Sequence, residues 1–332
     1  MCDDVQAETA AALQLLDGNA QRFLDRWHWF GYHARNRTPF MVSIARACRR
    51  LTPISADAPE RMLRELASIG NGRDRNRDDY NQLIQKLSEI LVLQQISLMP
   101  WPEGARLEIE GGAPGSPRQV DGVATLPDGS KIGFEVKSPA YLDHADRRGR
   151  GGLQWPARGP DGAVDTVRRP EDNIVLPRDN TIRDFLRSAN EKFAAFKAAG
   201  PTIAILVIVW DDFIYEAISP LVHERVGLLT PNSYARHADG PELFPNLDAI
   251  VLLRHLSYFT HASAEHDLPD RRRDCMHLGG DGALPNVIIQ VPGGQPVPDF
   301  VTNAFNALPL DHEALATLAD YHANDLVMWH RV

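Results

Sequence analysis

The chain has 332 residues, of which 43% are hydrophobic and 24% charged, a composition that excludes disorder throughout and is typical of a globular protein with a large core. Its formal charge of -9 argues against a protein that coats nucleic acid or an anionic membrane by bulk charge. The charge is unevenly divided: residues 1–200 contain 28 basic and 27 acidic side chains, whereas residues 201–332 contain 7 and 17. The acidic excess therefore lies in the C-terminal part, and the two parts are suited to different partners.

The cysteines and the apolar runs indicate the compartment. Cys2, Cys48 and Cys275 include no CxxC pair, so they predict neither a disulfide framework nor a zinc ribbon. The acidic N-terminus lacks the pattern of a signal peptide, and the longest apolar run, residues 203–210, is too short to span a bilayer. We therefore expect a cytoplasmic protein with reduced thiols and no membrane partner.

The N-terminal part is predicted to be helical. Residues 5–70 contain several helical patterns broken at glycine and proline, and we end this region at residue 75. A longer helix over residues 78–98 follows, because apolar side chains recur there at helical spacing and Pro100 ends the pattern.

Beyond that helix, apolar residues recur at every second position instead of at helical spacing. Alternating runs predict three short antiparallel strands at residues 105–110, 118–126 and 131–137. The turn sequence PDGS at residues 127–130 joins the last two strands into a hairpin.

The rest of the chain is less regular. Residues 139–180 are rich in Gly, Pro and Arg without a sustained period, which predicts a long loop or mobile flap. A helix then begins at Thr181 and ends at the Gly200-Pro201 pair, and a strand buried on both faces occupies residues 202–209. An acidic α/β extension is expected over residues 213–332, with strands at 249–253 and 286–291 and a last helix at 311–323.

Three residues of the predicted hairpin carry the chemistry. Glu135 and Lys137 are two apart on one strand and share a face, while Asp121 lies on the preceding strand. Two carboxylates beside one ammonium suit Mg²⁺ or Mn²⁺, which can neutralise a phosphate and activate a water. With 44 acidic residues and five lysines, however, about 0.7 acidic-x-Lys triplets are expected by chance and the chain has one, so a surface ion pair is an alternative.

The order of helix, three strands, helix and strand, with Asp121 in QVDGV and Glu135-Val136-Lys137 in GFEVKS, resembles the PD-(D/E)xK nuclease superfamily. The resemblance covers roughly residues 78–210, about 40% of the chain, and Val120 replaces the proline of the motif. It implies an α/β fold with a restriction-endonuclease-like core, an αβββαβ mixed sheet flanked by helices, over residues 76–212. A helical region precedes this core, and the mixed α/β extension follows it.

The resemblance also implies roles for individual residues. Asp121, Glu135 and the carbonyl of Val136 would bind Mg²⁺ or Mn²⁺, and Lys137 would position the water that hydrolyses a phosphodiester, with DNA favoured over RNA. Glu89 matches a glutamate that many members carry on the first core helix and is a further candidate for the catalytic site, although its position on the helical wheel fits a solvated side chain as well as a ligand.

Further contacts to nucleic acid are weaker predictions. Lys192, on the second core helix, is a candidate phosphate contact, against the alternative of an ordinary surface lysine. Arg147, Arg148 and Arg150 directly follow the proposed catalytic strand and could bind phosphates, but acidic residues nearly balance the arginines of this segment, so a solvated loop is equally compatible. The N- or C-terminal region is a candidate contact for a homodimer or a protein partner.

Two other functions stay open. A catalytically inactive binding or scaffold protein could retain the same fold, with Glu135 and Lys137 as an ion pair. The histidines around Cys275 could form a zinc module, although their spacing fits no standard pattern. The sequence contains no GxSxG, GxxxxGK or HExxH motif, which argues against serine hydrolases, P-loop enzymes and zincins.

Overall fold

A computed structural model of the chain describes residues 2–25, 27–70, 76–113, 115–149, 153–154, 174–175, 181–268, 270, 274–279, 283–324 and 327–328. The helices within these ranges are α1 (Cys2–Leu24), α2 (Gly31–Asn36), α3 (Pro39–Arg49), α4 (Ala58–Ser68), α5 (Arg77–Leu98), α6 (Tyr141–Gly149), α7 (Thr181–Ala199), α8 (Tyr215–Val222), α9 (Leu256–Ser263) and α10 (Asp299–Ala304). The strands are β1 (Arg106–Gly112), β2 (Gln119–Thr125), β3 (Lys131–Lys137), β4 (Leu153–Gln154), β5 (Ile174–Val175), β6 (Thr202–Trp210), β7 (Arg236–His237), β8 (Gly240–Pro241), β9 (Ala249–Arg254), β10 (Asn286–Gln290), β11 (Ala307–Pro309) and β12 (Val327–Met328).

A seven-stranded mixed sheet organises the molecule, in the order β1-β2-β3-β6-β9-β10-β11. Strands β1, β2 and β3 are antiparallel neighbours, β3, β6 and β9 run parallel, and β10 is antiparallel to β9. Short strands also form a three-stranded sheet, β12-β4-β5, and the pair β7-β8. The expected α/β class is thus confirmed as a mixed sheet flanked by helices.

The turn between β2 and β3 fixes the register of the hairpin. Gly129 adopts a φ of 84°, which favours glycine, and Asp128 Oδ1 accepts a hydrogen bond from the Ser130 amide at 2.9 Å. The hairpin pairs Thr125 with Lys131 and, at its other end, Gly122 with Phe134. Asp121 precedes Gly122 and Glu135 follows Phe134, so both residues adjoin this last pair of the hairpin.

Two helical layers cover the sheet. Phe134 of β3 belongs to the hydrophobic core that also contains the apolar side chains of α5, whereas Phe193 of α7 belongs to the core on the other face. Gly133 faces α7, because a Cβ atom placed on it would lie 2.6 Å from Cε1 of Phe193. Side chains alternate along a strand, so Glu135 also faces α7.

Helix α5 begins at a sequence signal for a helix N-terminus. The side chain of Asn76 accepts a hydrogen bond from the amide of Asp78 at 3.0 Å, and Asp78 and Asp79 place negative charge in the first turn. The described helix agrees with the predicted one, as do α7 and strands β1, β2, β3, β6, β9 and β10.

Two predictions for irregular parts of the chain are corrected. The segment 139–180 is not wholly a loop, since residues 141–149 form α6 and two short strands follow. The predicted helix over 311–323 is wrong: the structure has 3₁₀ turns at Glu313–Leu315 and Ala319–Tyr321. The buried residues Leu315 and Tyr321 are six apart, a multiple of the three-residue period of a 3₁₀ turn.

Among the described residues, no helix is both long enough and apolar enough to cross a bilayer.

Candidate active site

Glu135 lies at the centre of a charged cluster at the end of β3. Its side chain is fully buried, and its Oε1 atom lies 2.7 Å from Nζ of Lys137 and 2.7 Å from Nζ of Lys192. Within the described part of the chain, its Oε2 atom has no hydrogen-bond partner. One oxygen of the carboxylate is thus held by two ammonium groups, while the other is available to a cation.

Asp121 reaches the same end of β3 from the neighbouring strand. Its Oδ2 atom accepts a hydrogen bond of 2.6 Å from the amide of Val136. The N–H and C=O groups of one strand residue point to the same side, so the carbonyl of Val136 is also directed toward β2. The structure therefore brings together the three groups that were predicted to bind a metal: Asp121, Glu135 and the Val136 carbonyl.

The electrostatics of Asp121 reflect this crowding. Burial and, to a smaller extent, the negative charge of Glu135 raise the pKa of its carboxyl group from 3.8 to about 7, although the hydrogen bond from Val136 acts in the opposite direction. Two neighbouring carboxylates are a suitable environment for a divalent cation, which stabilises both charges. The donor set therefore fits Mg²⁺ or Mn²⁺, which prefer oxygen ligands.

Glu89 is placed near this cluster but has its own partner. Both of its carboxylate oxygens accept hydrogen bonds from Nζ of Lys86, at 2.9 and 3.0 Å, and Lys86 also forms an ion pair with Glu65. Burial raises the pKa of Glu89, and its charge contributes to the raised pKa of Asp121. The solvated position that the helical wheel allowed is not observed, since the side chain is only 17% exposed.

Lys192 contacts the cluster directly. The structure places it on α7, one residue before Phe193, with its ammonium on the same carboxylate oxygen as that of Lys137. Two of the chain's five lysines thus converge on one atom. The other three interact elsewhere: Lys86 with Glu65 and Glu89, Lys131 with the ring of Phe196, and Lys197 with Asp248.

A cleft leads from this cluster to the surface. It has a volume of about 530 Å³ and lies between the β1–β2 connection and α7, with Asp121 and Lys192 in its wall. Arg118 also lines it and forms an ion pair with Glu191, at 3.2 Å between Nη2 and Oε2. The wall of the cleft therefore combines the cationic Arg118 and Lys192 with the acidic Glu110, Glu191 and Asp121.

The prediction that Arg147, Arg148 and Arg150 contact nucleic acid falls on side chains outside the described part of the chain. Arg150 lies outside the described residues, and so do the side chains of Arg147 and Arg148, whose backbone belongs to α6.

Sequence reasoning did not find a second group of ionisable side chains. Among the described residues, His144, Asp211 and Glu216 form a group of potential metal ligands, with one ligand atom from each residue within 4.8 Å of the others. They come from α6, from the residue that follows β6 and from α8, so no local spacing could have indicated them. The acidic pair Asp211-Asp212 directly after a buried strand was the available signal.

In comparisons with known proteins, no protein-family model matches the chain, and neither does a curated protein or a solved structure.

Proposed function

We propose that the chain is a metal-dependent nuclease that hydrolyses phosphodiester bonds of nucleic acid, with DNA favoured over RNA. The observation that carries this proposal is the convergence of Asp121, Glu135 and Lys137 at the end of the third strand of the sheet. The helix α5, the antiparallel strands β1–β3, the helix α7 and the parallel strand β6 supply the order of a restriction-endonuclease-like core. We assign this core to residues 76–212.

The proposed chemistry distributes tasks among the side chains. Asp121, Glu135 and the carbonyl of Val136 would hold Mg²⁺ or Mn²⁺, which supplies Lewis-acid stabilisation of the phosphate and a water of lowered pKa. The ammonium of Lys137 donates a hydrogen bond to the attacking water and holds it in line with phosphorus. The water oxygen forms the new bond to phosphorus and gives up a proton to solvent, the bond to the leaving oxygen breaks, and that oxygen takes up a proton from solvent.

Lys192 has a different position relative to the proposed substrate. Its side chain is 30% exposed and lines the cleft, whereas that of Lys137 is 17% exposed. We therefore assign Lys192 to a non-bridging oxygen of the phosphate, where an ammonium stabilises the charge that develops during attack. Glu89 is left outside the metal shell in this assignment, because Lys86 occupies both of its oxygens.

The test is cleavage of labelled single- and double-stranded DNA and RNA in Mg²⁺ or Mn²⁺, with EDTA as the metal-free reference. Glu135→Gln and Lys137→Ala are each expected to lower the cleavage rate by at least about 100-fold, the scale of a lost general acid–base or charge-stabilising group.

Matched controls come from the same hairpin. Lys131→Ala removes a lysine from the opposite end of β3, and Asp128→Asn removes a carboxylate from the turn, so both should cleave like the unaltered protein. Metal-dependent cleavage that survives both Glu135→Gln and Lys137→Ala, or no cleavage of any substrate by the unaltered protein, would refute the proposal. The second outcome would favour a binding protein.

A further inference from the structure

We propose that His144, Asp211 and Glu216 form a second metal site, which binds a divalent transition metal such as Zn²⁺ and joins α6 to α8 and to the end of β6. The site does not depend on the nuclease proposal, because it shares no residue with the Asp121 and Glu135 cluster. The argument rests on the type, spacing and burial of the three side chains.

The three ligand atoms have the spacing of a coordination shell. His144 Nε2 lies 3.1 Å from Glu216 Oε2 and 3.7 Å from Asp211 Oδ2, and ligand atoms of all three residues lie within 4.8 Å of one another. Bonds of about 2.1 Å arranged tetrahedrally around Zn²⁺ place neighbouring ligand atoms about 3.4 Å apart. The two measured distances lie on either side of that value, so small side-chain movements would complete the shell.

The side chains are buried and held in place. Only 10% of His144, 6% of Asp211 and 1% of Glu216 is exposed. The ring of Trp210 packs edge-on against the imidazole, at 4.9 Å between centroids, and Asp211 Oδ1 accepts a hydrogen bond from the amide of Phe213. These contacts leave Asp211 Oδ2 directed toward His144. Two buried carboxylates this close repel each other, and a divalent cation between them stabilises both.

The ligand set also selects the metal. One imidazole nitrogen with two carboxylate oxygens suits Zn²⁺, Mn²⁺ or Co²⁺, whereas Mg²⁺ prefers oxygen ligands throughout. The Asp121 and Glu135 cluster offers only oxygens. The two sites should therefore differ in metal preference. Excess Mg²⁺ should compete with Zn²⁺ for the Asp121 and Glu135 cluster and should leave Zn²⁺ binding by His144, Asp211 and Glu216 unaffected.

The position of the group suggests what the metal does. Helix α6 begins four residues after Lys137, and β6 pairs in parallel with β3, with Lys137 opposite Ile208. His144 and Asp211 thus belong to the segments that leave the same edge of the sheet. A metal shared by them and by Glu216 would fix α6 against α8, which is a structural task rather than a catalytic one.

The experiment uses the full-length double variant Asp121→Asn/Glu135→Gln, in which the first site is disabled. We expect it to retain one equivalent of Zn²⁺ by elemental analysis after desalting in excess Mg²⁺, and Co²⁺ to give a visible absorption band that Zn²⁺ removes. Adding His144→Gln should weaken Zn²⁺ binding by more than about 100-fold, since losing even an outer-shell partner of a metal costs 10–100-fold.

The matched control is His28→Gln, which alters a buried histidine bonded to the carbonyl of Leu66 and should leave Zn²⁺ binding unchanged. Glu216→Gln replaces His144→Gln if that variant fails to fold. The proposal is overturned if the double variant retains no Zn²⁺ and gives no Co²⁺ band, since the three side chains then form only an ion-pair network. It is equally overturned if binding survives both His144→Gln and Glu216→Gln.

Discussion

Replacing Asp121 by asparagine is expected to stabilise the metal-free protein at neutral pH, although it removes a proposed metal ligand. The pKa of this carboxyl group is raised from 3.8 to about 7, first by burial and then by the charge of Glu135. Asparagine keeps a side-chain carbonyl that can accept the hydrogen bond from the Val136 amide, and it carries no charge to be buried. The energetic cost of the buried carboxylate is therefore removed while the local structure is retained.

The size and sign of the effect follow from proton linkage. In the unfolded chain Asp121 loses its proton near pH 4, whereas in the folded protein it does so near pH 7. Between these values the folded state binds more protons than the unfolded state, so the free energy of unfolding falls as pH rises. At about 1.4 kcal/mol per pH unit, the loss reaches about 4 kcal/mol above pH 7.

Urea denaturation in EDTA at pH 4, 6 and 8 measures this difference. Asp121→Asn should match the unaltered protein at pH 4 and exceed it by up to about 4 kcal/mol at pH 8. Mg²⁺ should then stabilise only the unaltered protein.

The control, Asp128→Asn, should behave oppositely, since hydrogen bonds from Ser130 lower the pKa of Asp128 and stabilise its ionised form. The reasoning is refuted if Asp121→Asn is less stable than the unaltered protein at pH 8, or if the difference does not change with pH.

Two further predictions concern helix α7. Gly133→Ala should lower the free energy of unfolding in urea by about 1–3 kcal/mol, because the new Cβ atom would lie 2.6 Å from Phe193. The control Gly112→Ala should be close to neutral, because the nearest atom to its Cβ would be 3.9 Å away. Equal effects of the two substitutions would contradict the packing of α7 on β3. Lys192→Ala should lower kcat for nucleic-acid cleavage more than it changes KM, because the proposed contact of its ammonium group with a phosphate oxygen strengthens in the transition state. An effect on KM alone would indicate that Lys192 contributes to ground-state binding only.

The elements around the candidate site could be predicted because their signals are local. Strands β2 and β3 alternate with period two around a turn that contains Gly129, and α7 has an apolar stripe that ends before Gly200. These signals also bring Asp121 close to Glu135, because the turn fixes the register and both residues adjoin its last pair, Gly122 with Phe134. The helix expected at 311–323 failed because apolar residues three apart fit a 3₁₀ turn as well as an α-helix.

The remaining site residues depend on tertiary structure or on a signal that was overlooked. The contact of Lys192 with Glu135 requires α7 to pack against Gly133, and no local pattern reports that. The ion pair of Glu89 with Lys86 could have been predicted from the sequence, because Lys86 lies three residues earlier on the same helix, a spacing at which opposite charges meet. A glutamate with an intrahelical cation is a weaker candidate for a metal ligand than the resemblance alone implied.

The charge of the candidate site makes its lysines compatible with both the proposed metal binding and the proposed catalysis. Asp121 and Glu135 together carry up to two negative charges, and Lys137 and Lys192 supply two positive ones, both on a single oxygen of Glu135. A divalent cation at the other oxygen would weaken that hold, because it competes for the same negative charge. Metal binding would thereby release the ammonium groups toward water and phosphate. The ion pairs of the metal-free protein and the proposed contacts with substrate would then be two states of the same side chains.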